Sequence, residues 1–175
     1  MQLKIRPACT DDIEQLRLLY DEIIDAMDAS RWHAQWRKDG YPSREDLLAK
    51  AIAAELWVCE YSGELAAAMV LNHSYNPGYS QAPWQVECGE DEVLCIHTLG
   101  VSPRFQRCGI ASAMVHHAIA IARASSCKCL RLDVINTNRP ADLLYLRLGF
   151  CCRGAFTLNY EGAVCTQFNL YEYVL

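Results

Sequence analysis

From Val93 to Val101 the chain is an apolar run that carries His97 and Thr98, and it passes through Ser102-Pro103 and Gly109 into a long alanine-rich segment with helical spacing. A strand that is apolar on both faces must be covered on both sides, so this stretch predicts a central strand of an α/β sheet. The turn that follows has a chemical property of its own. The first N–H groups of a helix lack intrahelical partners, and the helix dipole adds partial positive charge there. Such a place suits phosphate or diphosphate. A lone glycine between strand and helix is equally a plain short turn, so the loop alone does not decide.

The flanking segments extend the same alternation. Gln2 to Arg6 reads as a strand closed by Pro7. Thr10, ahead of Asp11 and Asp12, suits a helix N-cap, and Ile13, Leu16, Leu19, Tyr20, Ile23, Ile24 and Met27 then recur at helical spacing. Ser43, followed by Glu45 and Asp46, starts a second helix through Leu47, Leu48, Ala51 and Ile52. Leu56 to Tyr61, the turn Ser62-Gly63, and Leu65 to Asn72 read as a β-hairpin. His73 to Asp91, with Pro77-Gly78 and Pro83, is mostly loop. Beyond a helix over Ile110 to Ser125, the pattern predicts a strand over Cys129 to Ile135 and a helix over Arg139 to Leu148 ended by Gly149. Strands over Phe150 to Phe156 and Val164 to Val174 follow. The order is β-α-α-β-β-β-α-β-α-β-β, with no repeat and no flexible linker.

Bulk properties narrow the class. With 175 residues and 52% hydrophobic content, the chain suits one domain with a substantial core. Its net charge of −5, without a basic stripe or Lys/Arg run, argues against a nucleic-acid partner. The N-terminal residues are charged from Lys4 onward and read as neither a signal peptide nor a membrane span, which predicts a cytoplasmic protein. Ten cysteines invite a disulfide or zinc reading. Yet no C-x-x-C pair occurs and no Cys/His set has zinc-ligand spacing, so free thiols and no metal are expected.

Two segments carry a resemblance. Gln106-Arg107-Cys108-Gly109-Ile110-Ala111 resembles the Gln/Arg-x-x-Gly-x-Gly/Ala signature of the GNAT superfamily of N-acetyltransferases. Asn138 to Phe150, with Ala141, Leu144-Tyr145 and Gly149-Phe150, is similar to that superfamily's second signature. The resemblance covers roughly Val93 to Phe150. It implies a mixed twisted sheet of about seven strands flanked by helices, a single acetyltransferase domain over residues 1–175, and acetyl-CoA as cofactor. Ala111 stands where many relatives have a second glycine.

Acetyl transfer from a thioester to an amine requires four things: a grip on the cofactor's charged end, polarisation of its carbonyl, deprotonation of the amine and protonation of the leaving thiolate. Backbone N–H groups from Arg107 through Cys108, Gly109 and Ile110 to Ala111, with Ser112 beside them, would take the diphosphate. Gln106 and Arg107 would add side chains, unless Arg104 and Arg107 are only solvated loop charges. Asn138 is placed to cap the helix that starts near Pro140, and by resemblance also touches the pantetheine arm. By resemblance that arm lies along the strand ending at Leu99, Gly100 and Val101, where a backbone N–H would face the acetyl oxygen. Gly100 suits close approach of a ligand, or relief of crowding beneath a helix.

Tyr145, the tyrosine of Leu-Tyr-x-x-x-Gly-Phe, is the candidate acid. His97, in mid-strand, is the candidate base; Glu92, Asp91 and Glu87 just before the strand are alternatives, as is ordered water. The non-periodic segment with Trp32, Trp36 and Tyr41, and the loop bearing Tyr75, Tyr79 and Trp84, predict an acceptor pocket for an apolar or cationic amine, unless these rings only seal the fold. The resulting expectation is an enzyme that acetylates a primary amine of a small molecule by direct attack in a ternary complex, with room left for a homodimer. Acetylation of protein N-termini or lysines stays open as an alternative. So does a non-catalytic acyl-CoA-binding regulator, against which Tyr145 tells.

Overall fold

Strands and helices occur in the order the pattern predicts. The computed structural model describes residues 3–30, 32–160 and 166–175. They form β1 (Leu3–Pro7), α1 (Ile13–Asp28), α2 (Arg44–Ile52), β2 (Leu56–Tyr61), β3 (Glu64–Asn72), β4 (Val93–Val101), α3 (Ile110–Ala124), β5 (Cys129–Ile135), α4 (Arg139–Arg147), β6 (Cys151–Thr157) and β7 (Gln167–Val174). The seven strands make one mixed sheet in the order β1-β2-β3-β4-β5-β7-β6. The expected strand residues Gln2, Val164 and Cys165 lie outside the described residues. By contact the chain divides into two units. One holds Met1–Ser30, Trp36–Leu71 and His97–His117, the other Arg31–Gln35, Asn72–Ile96 and Ala118–Leu175.

In the first unit, β1 pairs antiparallel with β2, from Leu3 opposite Tyr61 to Pro7 opposite Trp57. Pro7 closes an edge strand, where a missing N–H costs no ladder bond. β2 and β3 form the expected hairpin, and Ser62 and Gly63 both have positive φ, the two-residue turn whose twist matches that of the strands. Helix α1 buries Ile13, Leu16, Leu19, Tyr20, Ile23 and Ile24, the stripe its spacing predicts. Ser43 caps α2 reciprocally: its hydroxyl accepts from the Asp46 N–H while its own N–H donates to the Asp46 carboxylate.

The start of α1 departs from expectation. Thr10 does not cap it; a 3-10 turn over Thr10–Asp12 intervenes, and Asp12 reaches back to accept from the Cys9 N–H at 2.8 Å. Arg6 of β1 makes a two-pronged contact with the same carboxylate at 2.7 and 2.9 Å. This guanidinium chiefly holds the Asp12 carboxyl down to about 2. Its folded value lies below that of the unfolded chain, so the pair's stabilisation is full above about pH 4 and is lost as pH falls toward 2. Asp12→Asn is expected to lower stability by about 2 kcal/mol at neutral pH. It should also flatten that acid limb of the unfolding profile, as measured by denaturant titration between pH 2 and 7.

In the second unit, β4 and β5 are parallel neighbours from Val93 opposite Cys129 to Cys95 opposite Arg131. β7 pairs antiparallel with both β5 and β6. Glu172 of β7, almost fully buried, accepts from Arg131 at 3.1 Å and Arg153 at 3.0 Å, and from the Gln85 N–H at 2.8 Å. Arg131 also donates to the Val86 carbonyl and lies 4.2 Å over the Trp84 ring. The segment after β3 therefore carries little regular structure yet is fastened along its length. His73 reaches the Val93 carbonyl at 2.7 Å, Asn76 donates to the Asn159 carbonyl, and the Trp84 indole donates to the Tyr79 carbonyl. Cys88 Sγ lies 3.5 Å from Cys129 Sγ, and all nine described cysteines are free thiols.

Candidate active site

The loop that follows β4 leads into α3. Ser102 ends the strand fully buried, with its N–H on the Ala66 carbonyl. A 3-10 turn over Pro103–Phe105 comes next. Arg104 is committed to Glu64 at 2.6 Å and Glu22 at 3.5 Å, so it braces the loop and is not free for a ligand. Gln106, Arg107, Cys108 and Gly109 are exposed. Arg107 and Gly109 both have positive φ, 64° and 77°. Left-handed residues between right-handed ones turn successive N–H groups toward one concavity, the geometry of an anion nest. A Cβ built on Gly109 would meet nothing within 4 Å, so the space over this turn is open. The first α3 bond of this turn runs from the Ala113 N–H to the Gly109 carbonyl. The N–H groups of Ile110, Ala111 and Ser112 precede it and point out of the helix end.

Within β4, Thr98 has a φ of 48°, a left-handed residue in mid-strand. The Tyr20 phenol donates to its carbonyl at 2.8 Å. Such a residue ends the simple alternation of sides, so the face shared by Cys95 and His97 on strand spacing does not continue to Leu99. His97, Leu99 and Val101 are half-buried and Gly100 is buried. A Cβ on Gly100 would lie 2.9 Å from Ile23, 3.3 Å from Trp36 and 3.4 Å from Tyr20. Helix packing thus accounts for the missing side chain, whatever also approaches the backbone. Trp36 stands edge-on to Tyr20 at 5.5 Å as part of this packing, while Tyr41 is half exposed.

In the second unit, Asn138 caps α4, accepting from the Ala141 N–H at 3.4 Å. Tyr145 sits one turn before the helix end, and the sequence Tyr-x-x-x-Gly-Phe fixes it there. Gly149, with a φ of 91°, ends the helix; its N–H reaches the Leu146 carbonyl and the Phe150 N–H reaches the Tyr145 carbonyl. This is a Schellman closure, in which the residue after the glycine packs on the one five before it. Here that contact is Phe150 edge-on to the Tyr145 ring at 5.4 Å. The signature is therefore a device for holding one phenol. Tyr145 is 6% exposed, and no hydrogen bond among the described residues involves its hydroxyl. Burial pushes this phenol well above its ordinary range, and the charge of Asp133 adds to the rise. Trp32 is half-buried in the same unit, and Trp84 packs at 5.5 Å on Tyr79, which in turn stacks on Tyr75.

Comparison with known proteins decides the family. The model of the acetyltransferase (GNAT) family matches residues 18–150, most of the chain. The chain belongs to the GNAT family. An uncharacterised N-acetyltransferase of Methanocaldococcus jannaschii is 25% identical over 154 residues; this GNAT chain spans 59% of that relative's length, and 83% of the chain is covered. Among solved structures, a GNAT acetyltransferase of Streptococcus agalactiae superposes with a TM-score of 0.82 at 21% identity, covering 99% of this chain and 95% of that one. The yncA acetyltransferase of Salmonella typhimurium, solved with acetyl-CoA, gives 0.73 at 16% identity, covering 100% and 95%. These likenesses fix the fold.

Of the carboxylates weighed as alternatives to His97, Glu92 is spoken for in this GNAT protein. It accepts from Lys128 at 2.8 Å and from the Gly89 N–H at 2.9 Å. Glu87 and Asp91 are exposed. The acidic residue missed by sequence reading is Asp133, in the middle of β5, which accepts from both Tyr79 and Tyr160. Its signal was present, a lone acid inside the apolar run Cys129 to Ile135. Among the described residues no set of three or more His, Cys, Asp or Glu is placed to hold a metal ion. No helix there is long and apolar enough to cross a membrane.

Proposed function

We propose that this chain is an acetyl-CoA-dependent N-acetyltransferase working as one domain on a primary amine of a small molecule, by direct attack in a ternary complex. The observation that carries the reading is the open nest over Gly109, where two left-handed residues lead into unpaired helix N–H groups. The residues fit a diphosphate, and Gln106 and Arg107 flank it, Arg107 without an ion pair among the described residues. When bound, acetyl-CoA supplies the activated acetyl thioester.

The chain's own residues supply the rest. Backbone N–H groups of Arg107, Gly109, Ile110 and Ala111, with Ser112, hold the anion, while the Cys108 N–H donates to the Phe105 carbonyl at 3.4 Å and closes the turn. Asn138, whose carbonyl oxygen caps α4, keeps its amide N–H₂ for the pantetheine arm. A backbone N–H at Leu99 or Gly100 polarises the acetyl oxygen, and Val101 continues that strand edge. His97 takes the proton of the amine, and Tyr145 gives one to the departing sulfur. Trp32, Trp36, Tyr41 and Trp84 belong to the acceptor side, with Trp36 also part of the first unit's core.

Acetyl-CoA or CoA is expected to raise the melting temperature. A ligand specific to the native state stabilises by about 2.7 kcal/mol at a hundredfold excess over its Kd. Following thiol release across amines, amino acids, polyamines and short peptides then identifies the acceptor. CoA release with peptides alone would replace the small-molecule reading by a protein acetyltransferase. Binding without release for any amine would leave a non-catalytic CoA-binding protein.

A further inference from the structure

Asp133 is a carboxylate placed where strands avoid charge. It lies in the middle of β5, half-buried, between Leu132 and Val134. Two phenols hold it: Tyr79 donates to Oδ2 at 2.8 Å and Tyr160 to the same atom at 2.7 Å. Neither brings a positive charge. Among the described residues no basic side chain pairs with Asp133 and no hydrogen bond reaches Oδ1. Arg131, two residues back on the same strand, is committed to Glu172 and Val86. The pair of phenols thus orients the carboxylate and satisfies one oxygen, while its charge stays uncompensated. A structural acid in such a position is normally matched by a cation.

Further rings pack on these two phenols, and the Trp84 ring also carries the Arg131 guanidinium. Tyr75 stacks on Tyr79 at 5.6 Å with 14° between planes, Trp84 packs on Tyr79 at 5.5 Å, and Phe168 packs on Tyr160 at 5.3 Å. Aromatic faces attract organic cations, and combined with a carboxylate they favour an ammonium bearing an apolar body. Tyr79 is buried, and burial together with the Asp133 charge keeps its phenol neutral, so it remains a donor. The same carboxylate is close enough to Tyr145 to act on its phenol electrostatically.

We infer that Asp133, oriented by Tyr79 and Tyr160, anchors the ammonium group of an apolar primary amine through Oδ1. This deepens the acceptor assignment and rests on the acetyltransferase reading. Asp133 is then the residue that sets acceptor specificity, selecting amines over alcohols of the same shape. The anchored ammonium has to lose a proton before it can react.

Benzylamine, an ammonium at pH 7, and benzyl alcohol, its neutral counterpart, test this by calorimetry without acetyl-CoA, so that no turnover intervenes. The parent protein is expected to bind benzylammonium at least tenfold more tightly than benzyl alcohol. Asp133→Asn should erase that difference while keeping the rise in melting temperature with CoA. Tyr160→Phe, which leaves the carboxylate in place but frees its orientation, should weaken benzylammonium several-fold and spares the test if the Asn variant does not fold. Equal binding of the two probes by the parent overturns the inference, as does a preference that survives both substitutions. Loss of the CoA effect with the preference intact would instead sink the acetyltransferase reading alone.

Discussion

Gly109→Glu is expected to abolish CoA binding in a protein that still folds. The turn is exposed and a side chain there meets nothing, so no packing is lost. The new carboxylate would stand in the nest itself. Like charges brought together in a binding site cost several kcal/mol, a loss of roughly a hundredfold or more in affinity. The φ of 77° adds strain for any side chain. Asparagine tolerates this left-handed region best after glycine, so Gly109→Asn should keep much of the binding. Calorimetric titration with CoA separates the two variants. A folded Gly109→Glu protein that binds CoA like its parent would remove the nest from the active site.

The second large effect is expected at Tyr145. Replacement by phenylalanine keeps the ring against Phe150 and Tyr171 and deletes only the hydroxyl. The chemical step should fall by roughly a hundred- to ten-thousand-fold, the usual contribution of a general acid, with CoA affinity almost unchanged. Burial and the Asp133 charge raise this phenol, which makes it a weaker acid than free tyrosine. Transfer to a thiolate, whose reference value is about 8.5, is then uphill, so a direct hydrogen bond has to carry it. The sign also fixes the pH profile: the limb from loss of this proton lies above the ordinary phenol value of about 10, and none should be seen below it. Single-turnover thiol release gives the rate of the chemical step. An unchanged rate would reduce Tyr145 to a packing residue.

The elements most legible in the sequence are those whose pattern is set locally. β4 and β5 fall on the predicted residues because their apolar runs are bounded by turn chemistry on both sides. Ser43 is readable as a cap because Asp46 answers it at the right spacing. Thr10 misleads for the same reason in reverse: a good cap residue stands there, but Arg6 of β1 pairs with Asp12, which lies in a 3-10 turn capped from Cys9. Site geometry is less legible where it depends on the tertiary setting. Nothing about a threonine announces a left-handed residue at Thr98, which the Tyr20 phenol holds from another element. The aromatic residues divide by a rule the sequence does not contain. Trp36 fills the space left by Gly100, whereas Tyr79 serves a carboxylate. Asp133 was visible as a residue and invisible as a site, because its two phenols come from segments 54 and 27 positions away.

The connection between β3 and β4 has a thermodynamic consequence. Its twenty residues, 73–92, contain no strand and no α-helix, yet His73, Tyr79, Gln85 and Val86 tie them to a carbonyl, two carboxylates and a guanidinium of the sheet, while Asn76 bonds to the Asn159 carbonyl and Trp84 to the Tyr79 carbonyl within the segment. Ordering such a segment costs roughly 1–2 kcal/mol per residue in backbone entropy, and here that cost falls on folding. A molecule binding against Tyr79 or Trp84 therefore meets a surface already in place and does not bear it again. Backbone amides such as those of Gln85 and Tyr79 should resist hydrogen exchange in the ligand-free protein as amides of regular strands do. A wall of this kind tells guests apart by how well they fit, with little power to remould itself around a poor one.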